Sequence, residues 1–140
     1  MSATTLFTGT ATAIGGRHGH SETSDGSVSV DLGTPSNGVL EPGKTTPEHL
    51  FATGYAACFG SAVEGVGKMK KFDVTGAAVT VAASLLKGDD GFSLAVKLSL
   101  KAPALSKEQA QELIEAAHQM CPYSKATRGN VPVTVVGKGA

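Results

Sequence analysis

Tryptophan is absent from the chain, tyrosine occurs twice, and cysteine occurs only twice, at positions 58 and 121. Two cysteines cannot build a disulfide framework, and these form no C-x-x-C pair. In a reducing compartment they carry no lasting bridge, although one made and broken during a redox cycle is allowed. Neither sign of charge prevails, since Lys plus Arg and Asp plus Glu are both 12. Without a basic stripe there is no electrostatic footprint for nucleic acid. Near-neutrality instead reduces self-repulsion and mildly favours association. Long apolar runs are missing too. The longest, residues 50–63, is too short to span a bilayer and contains Gly, Thr and Ser. The opening MSATTLFTGTATAIGG has neither the basic start nor the continuous apolar block of a secretory signal. These absences predict a cytoplasmic protein that engages neither membrane nor nucleic acid.

No internal repeat, low-complexity block or linker interrupts the 140 residues, which predicts one domain, residues 1–140, with a core of its own. What is plentiful is glycine, at 18 residues, which suits tight turns and close backbone approaches. Residues 4–16 are rich in Thr with loose alternation and read as a strand. Residues 26–33 alternate Val28, Val30 and Leu32 with Ser and Asp, the pattern of a half-buried strand. GGRHGHSETSD, between them, reads as the turn of a broad hairpin. Residues 34–45 are dense in Pro, Gly, Asn and Ser, and read as loop.

A helix is then predicted to start at Thr45 or Thr46, with Pro47 in its first turn and Glu48 spaced from Thr45 as in a capping box. It should run to about Lys71, bent or interrupted at Gly54, Gly60, Gly65 and Gly67. Each glycine costs about 1 kcal/mol relative to alanine, a cost that close packing against another element or subunit would offset. A second hairpin turns at DDG, its later strand carrying Phe92, Leu94, Val96, Leu98 and Leu100 on one face. Ser106 and Gln109 form a capping box for the next helix, with Leu105 as its staple. Ala110, Leu113, Ile114, Ala117 and Met120 make its core stripe, and Pro122 ends it at Cys121. VPVTVVGKG closes the chain as a strand. An N-terminal β-hairpin, a long central helix, a second hairpin, a C-terminal helix and a closing strand make an α+β domain.

Cys58 lies in the most apolar stretch, LFATGYAACFGSAVEG. On a helix it shares a face with Leu50, Gly54, Ser61, Ala62 and Gly65, and the small residues at 54, 61, 62 and 65 leave room beside the sulfur. A buried cysteine at a tight helix contact accounts for this pattern. An apolar site also raises a thiol's pKa, so reactivity would require a cation nearby. Arg17, flanked by glycines in GGRHG, is the candidate, and a solvated hairpin arginine is its plain alternative. His18 and His20 are other cations or metal ligands, but two cysteines and no helical histidine pair give a poor zinc site. Glu48 reads either as a capping carboxylate or as the partner that orients Arg17 through a bidentate pair. Ten residues of straight helix would separate Glu48 from Cys58 by about 15 Å. Either the helix breaks at its glycines, or Arg17 and Glu48 come from a second subunit. Cys121 is the N-cap of a short following helix if one forms, and otherwise closes the helix before it. A cysteine at such a boundary is more accessible than one in mid-core.

GGRHG at residues 15–19, TPEHLFATGYAACF at 46–59 and CPYSKATRGN at 121–130 together resemble the organic hydroperoxide resistance proteins, the Ohr branch of the Ohr/OsmC family. The resemblance covers essentially the whole chain. His49 and Lys125 depart from it, standing where Gln and Asn are expected. It implies an intertwined homodimer of OsmC-like fold with two interfacial active sites. Cys58 then resembles the peroxidatic cysteine and Cys121 the resolving one, with Arg17 and Glu48 as the activating pair. The implied activity is reduction of organic hydroperoxides to alcohols through an intramolecular disulfide. The implied reductant is a lipoyl-type dithiol such as dihydrolipoamide or a lipoylated protein. No metal, flavin or haem is required. Leu50, Phe51 and Phe59 are candidates for binding the alkyl part, with core packing as their ordinary alternative. The competing readings are an OsmC-branch peroxidase of different substrate range and a non-catalytic thiol redox sensor.

Overall fold

The chain first reverses direction at residues 15–19, where three glycines take conformations or approaches that a side chain would strain. Gly15 and Gly16 have φ of 85° and 57°, and a Cβ on Gly19 would lie 1.7 Å from the Ile14 carbonyl oxygen. The reversal is a 3-10 turn, Gly16–His18, between strands β1 (Ala11–Ile14) and β2 (His20–Thr23), paired antiparallel with Ile14 opposite His20. The broad turn predicted here is therefore a tight one, and its second half is a strand. β2 pairs on its other side with β3 (Ser29–Leu32), and β3 with the short parallel strand β4 (Lys44–Thr45). HSET gave no alternation to read because it is held by backbone bonds on both sides and none of its side chains is buried. Of the strand predicted over residues 4–16, only Ala11–Ile14 forms. β2 runs out at Thr23 into a turn closed by Asp25 on Ser27, so one more bond, Ser24 N–H to the Thr10 carbonyl, ends the ladder.

In this computed structural model, residues 2–140 are described and fall into two units, Met1–Leu50 and Phe51–Ala140. The first carries the four-stranded sheet β1-β2-β3-β4, and among its described residues only Leu32 and Thr46 are buried. Helix α1 (Pro47–Lys70) begins at its end. The cap is Thr46, whose Oγ1 accepts the His49 N–H at 3.1 Å, one residue later than the Thr45–Glu48 box predicted. Thr45 is already committed to β4, and its carbonyl accepts the Gly33 N–H.

α1 is continuous over 24 residues, so the predicted interruption at its glycines does not occur. Tyr55, Phe59, Val63 and Val66 form its buried stripe. Phe59 is fully buried, which makes it core rather than a substrate contact. Gly67 lets the chain fold back: a Cβ there would meet Val74 Cγ1 at 2.7 Å.

The rest of the second unit is a hairpin, two helices and a closing strand. β5 (Ala78–Gly88) and β6 (Gly91–Lys101) pair antiparallel across the two-residue turn Asp89-Asp90. β7 (Val133–Lys138) then pairs parallel to β6. A parallel pair needs a crossover, supplied by α2 (Lys107–Met120) and α3 (Pro122–Thr127). The full capping box at Ser106 and Gln109 starts α2 as predicted. Val96, Leu98 and Leu100 of β6 join Ala110, Leu113, Ile114 and Ala117 of α2 and the α1 stripe in one core. Phe92 and Leu94 of β6 and Met120 of α2, all predicted to join it, are outside it. Phe92 is exposed near the hairpin tip. Met120 is exposed because the stripe continues from Ala117 by four residues, to the fully buried Cys121.

Candidate active site

Pro122 disfavours helical geometry in the residue before it, and Cys121 has φ −67° and ψ 125°. It ends α2 and caps α3 at once, so both alternatives raised for it hold. The bend brings its sulfur 3.7 Å from that of Cys58 on α1, and both are free thiols. A disulfide has an S–S length of about 2 Å, so a shift well within side-chain reach would join them. Burial pushes the Cys58 thiol up, the backbone N–H of Tyr123 donates to its sulfur and pulls it down, and Cys121 adds to the upward push. The Tyr123 ring lies across Gly54, with its hydroxyl 3.4 Å from where a Cβ would be. Gly54 is one turn before Cys58, so its missing side chain makes room for the segment that follows Cys121. Phe51 and Tyr123 flank Tyr55 with ring centroids 5.9 and 5.7 Å away.

A second pair forms in the first unit. Arg17, in the 3-10 turn, donates from both terminal nitrogens to the two carboxylate oxygens of Glu48, at 2.9 and 2.7 Å. The arginine side chain is 45% exposed and the glutamate 14%. The fork-to-fork bonds hold the Glu48 carboxyl below its ordinary range, against a smaller upward push from burial. They hold the Arg17 guanidinium above its own ordinary value. Because Thr46 does the capping, Glu48 is free for this bond. His20 bonds Asp31 at 2.8 Å and Ser29 at 3.1 Å in the sheet. Among the described residues no group of three or more His, Cys, Asp or Glu is arranged to hold a metal ion. Nor is any helix among them long and apolar enough to cross a membrane.

The four residues singled out from the sequence thus meet as two pairs, Cys58 with Cys121 and Arg17 with Glu48. The family model for OsmC-like proteins matches residues 40–136, which include both cysteines and Glu48. The organic hydroperoxide resistance protein OhrB of Bacillus subtilis is 46% identical, over 91% of this chain and 95% of its own length. The chain belongs to the Ohr/OsmC family. The organic hydroperoxide resistance protein of Xanthomonas axonopodis pv. citri is 42% identical over 93% of both chains. The crystal structure of an organic hydroperoxide resistance protein from Elizabethkingia anophelis superposes with a TM-score of 0.88 at 40% identity, covering 99% of this chain and 100% of that one. The mixed α+β fold predicted from the sequence is that of the Ohr/OsmC family.

In this Ohr/OsmC member a further cluster, unnoticed in the sequence, lies one turn from the sulfurs. Ser124 Oγ is 2.7 Å from both Tyr55 Oη and His118 Nδ1. Thr127 Oγ1 donates to the Ser124 carbonyl at 3.1 Å and lies 3.4 Å from Tyr55 Oη. Arg128 donates to the His118 carbonyl at 2.7 Å. The available signal was Tyr55 itself, since a buried tyrosine hydroxyl needs a partner.

Proposed function

We propose that the chain is a thiol-dependent peroxidase that reduces organic hydroperoxides to alcohols, with Cys58 as nucleophile and Cys121 as resolving thiol. The observation that carries this reading is the 3.7 Å approach of two reduced sulfurs. The Cys58 thiolate attacks the terminal peroxide oxygen, the O–O bond breaks, and sulfur is oxidised to a sulfenic acid. The departing alkoxide takes a proton and leaves as the alcohol. The Cys121 thiolate then attacks the sulfenic sulfur, forming the disulfide and releasing hydroxide, which becomes water. This precedes further oxidation to the sulfinic acid, which is irreversible. Dihydrolipoamide, or a lipoylated protein, returns both thiols by exchange and leaves as the cyclic disulfide.

Burial raises the Cys58 thiol, so a cation must offset the charge on sulfur and on the departing oxygen. Arg17, aimed by Glu48, supplies it. α1 is unbroken, and ten residues of it span about 15 Å. The Arg17–Glu48 pair serving one Cys58 is therefore that of a second copy, in a homodimer with two sites. Leu6 and Phe7, 89% and 86% exposed in the single chain, support such an association. The 140 residues act as one domain, in the reducing cytoplasm.

The test is turnover of cumene or tert-butyl hydroperoxide with dihydrolipoamide as electron donor. Sustained turnover that vanishes in Cys58→Ser is expected. Full activity in that variant overturns the reading. A single oxidation per chain without turnover would make the protein a redox sensor instead.

A further inference from the structure

The hydroxyl chain beside the sulfurs has a direction, set by proton counting. Each hydroxyl has one proton to give, and Thr127 spends its own on the Ser124 carbonyl. With His118 Nδ1 unprotonated, Ser124 donates to the ring and Tyr55 donates to Ser124, so both protons sit in 2.7 Å bonds. With Nδ1 protonated, Ser124 accepts from the ring, and either it accepts from Tyr55 as well, leaving its own proton in neither 2.7 Å bond, or it turns that proton to Tyr55. In the second case the Tyr55 proton is left with Thr127, at 3.4 Å, longer than an ordinary O–H···O bond. Tyr55 and Ser124 are fully buried, so no water replaces the weakened bond. The arrangement fits neutral His118 with its proton on Nε2.

The surroundings of the ring favour the same state. From α3 it meets the uncharged Ser124, and from the turn after α3 the cation of Arg128, whose side chain bonds the His118 carbonyl. From α1 the Tyr55 hydroxyl reaches it through Ser124. On its own helix, Glu115 accepts a bond from Gln111. Burial, and then Arg128, hold the ring's pKa below its ordinary 6.5.

The position of the chain gives it a use. Tyr55 is three residues before Cys58, Ser124 three after Cys121, and His118 three before Cys121. The bonds thus tie the start of α3 to α1 one turn away from the sulfur contact. We propose that neutral His118 is a positioning residue for disulfide formation, holding Cys121 against Cys58 through Ser124 and Tyr55. This rests on the peroxidase reading above, and it concerns only the step in which Cys121 sulfur displaces hydroxide from the Cys58 sulfenic acid. Protonation of His118 leaves one buried hydroxyl proton of this chain without a 2.7 Å bond and so weakens the tie. The step therefore slows as pH falls through the ring's pKa.

Single-turnover oxidation of the full reduced chain by tert-butyl hydroperoxide separates the two rates, with the sulfenic acid trapped by a dimedone-type reagent and read by mass spectrometry. His118→Leu is expected to slow disulfide formation about tenfold, the effect of one lost hydrogen bond. It should also lengthen the life of the sulfenic acid and change the peroxide step less than about twofold. His118→Asn offers a neutral acceptor that does not titrate, and is expected to restore the rate. Between about pH 5 and 7 the wild-type rate, divided by that of His118→Asn, should fall as pH falls. If His118→Leu does not fold, Ser124→Ala cuts the same chain and should slow the same step. Disulfide formation at wild-type rate in both variants, or a wild-type to His118→Asn rate ratio that does not change with pH, overturns the inference alone. Peroxide consumed with no disulfide in the wild type overturns the resolving role of Cys121 and the inference with it.

Discussion

Cys58 and Cys121 are 63 positions apart in sequence and 3.7 Å apart at sulfur, one on a helix face and one at the junction of two helices. Their Sγ atoms approach without forming a bond, close enough for the disulfide that the proposed reaction requires. One equivalent of hydroperoxide should therefore convert both thiols to an intramolecular disulfide with loss of two hydrogens from the chain's mass. In Cys121→Ser the same equivalent should leave Cys58 as a sulfenic acid, and excess peroxide should carry it to the sulfinic acid. Intact-mass spectrometry before and after reduction distinguishes the three products.

Arg17 and Glu48 form a fork-to-fork pair that Lys cannot reproduce, because an ammonium lacks the planar pair of donors. Arg17→Lys should therefore lose much of the rate with peroxide, and Arg17→Ala more, each raising the Cys58 pKa without unfolding the chain. The pair has a pH signature of its own. The Glu48 carboxyl is lowered in the fold, so its stabilisation is present above the unfolded value and is lost as pH falls through the lowered folded one. In Arg17→Ala the Glu48 carboxyl should titrate closer to the ordinary glutamate value, as read by carboxyl-carbon NMR. An unchanged titration would remove Arg17 as the cause.

What could be read without a structure divides along physical lines. α2 was legible because its signals are local: Ser106 and Gln109 make the box they spell, and Ala110, Leu113, Ile114 and Ala117 keep helical spacing. The β5–β6 hairpin was legible from alternation around a two-residue turn. β2 was not, because His20 to Thr23 are paired through backbone and bury no side chain. The helix cap shifted from Thr45 to Thr46 because β4 claims Thr45, a demand made from far upstream by its partner Leu32. The site followed the same rule. The candidate residues were readable from motif resemblance, whereas the contact of Cys121 with Cys58 depends on how α2, α3 and α1 pack. The Tyr55–Ser124 bond joins residues 69 positions apart, so the sequence around Tyr55 shows that its hydroxyl needs a partner but not which residue supplies it.

Gly60 and Gly65 have open space around them in the single chain, so alanine there would meet no atom within 4 Å. In an isolated helix each substitution should add up to about 1 kcal/mol of helix stability. If the proposed homodimer packs a second copy onto this face of α1, the same methyl groups obstruct it. Gly60→Ala and Gly65→Ala should then keep or increase helical circular dichroism while weakening association. Sedimentation equilibrium over a concentration series checks this, and unchanged association would exclude the Gly60–Gly65 face from the interface.

Gly67 is the contrasting case within the same helix. Its absent side chain is replaced by Val74, whose Cγ1 would lie 2.7 Å from an added Cβ, and Gly67 itself is buried. The helix-propensity gain of about 1 kcal/mol is set against overpacking of about 1–3 kcal/mol. Val74 is held close because the Phe72 N–H bonds the Gly67 carbonyl as the chain leaves α1. Gly67→Ala should therefore be net destabilising, with a lower midpoint in thermal and urea unfolding. A shortened partner tests the cause: Gly67→Ala combined with Val74→Ala should recover part of the loss, and the two changes should be non-additive because the groups touch. Additive effects would place the clash elsewhere.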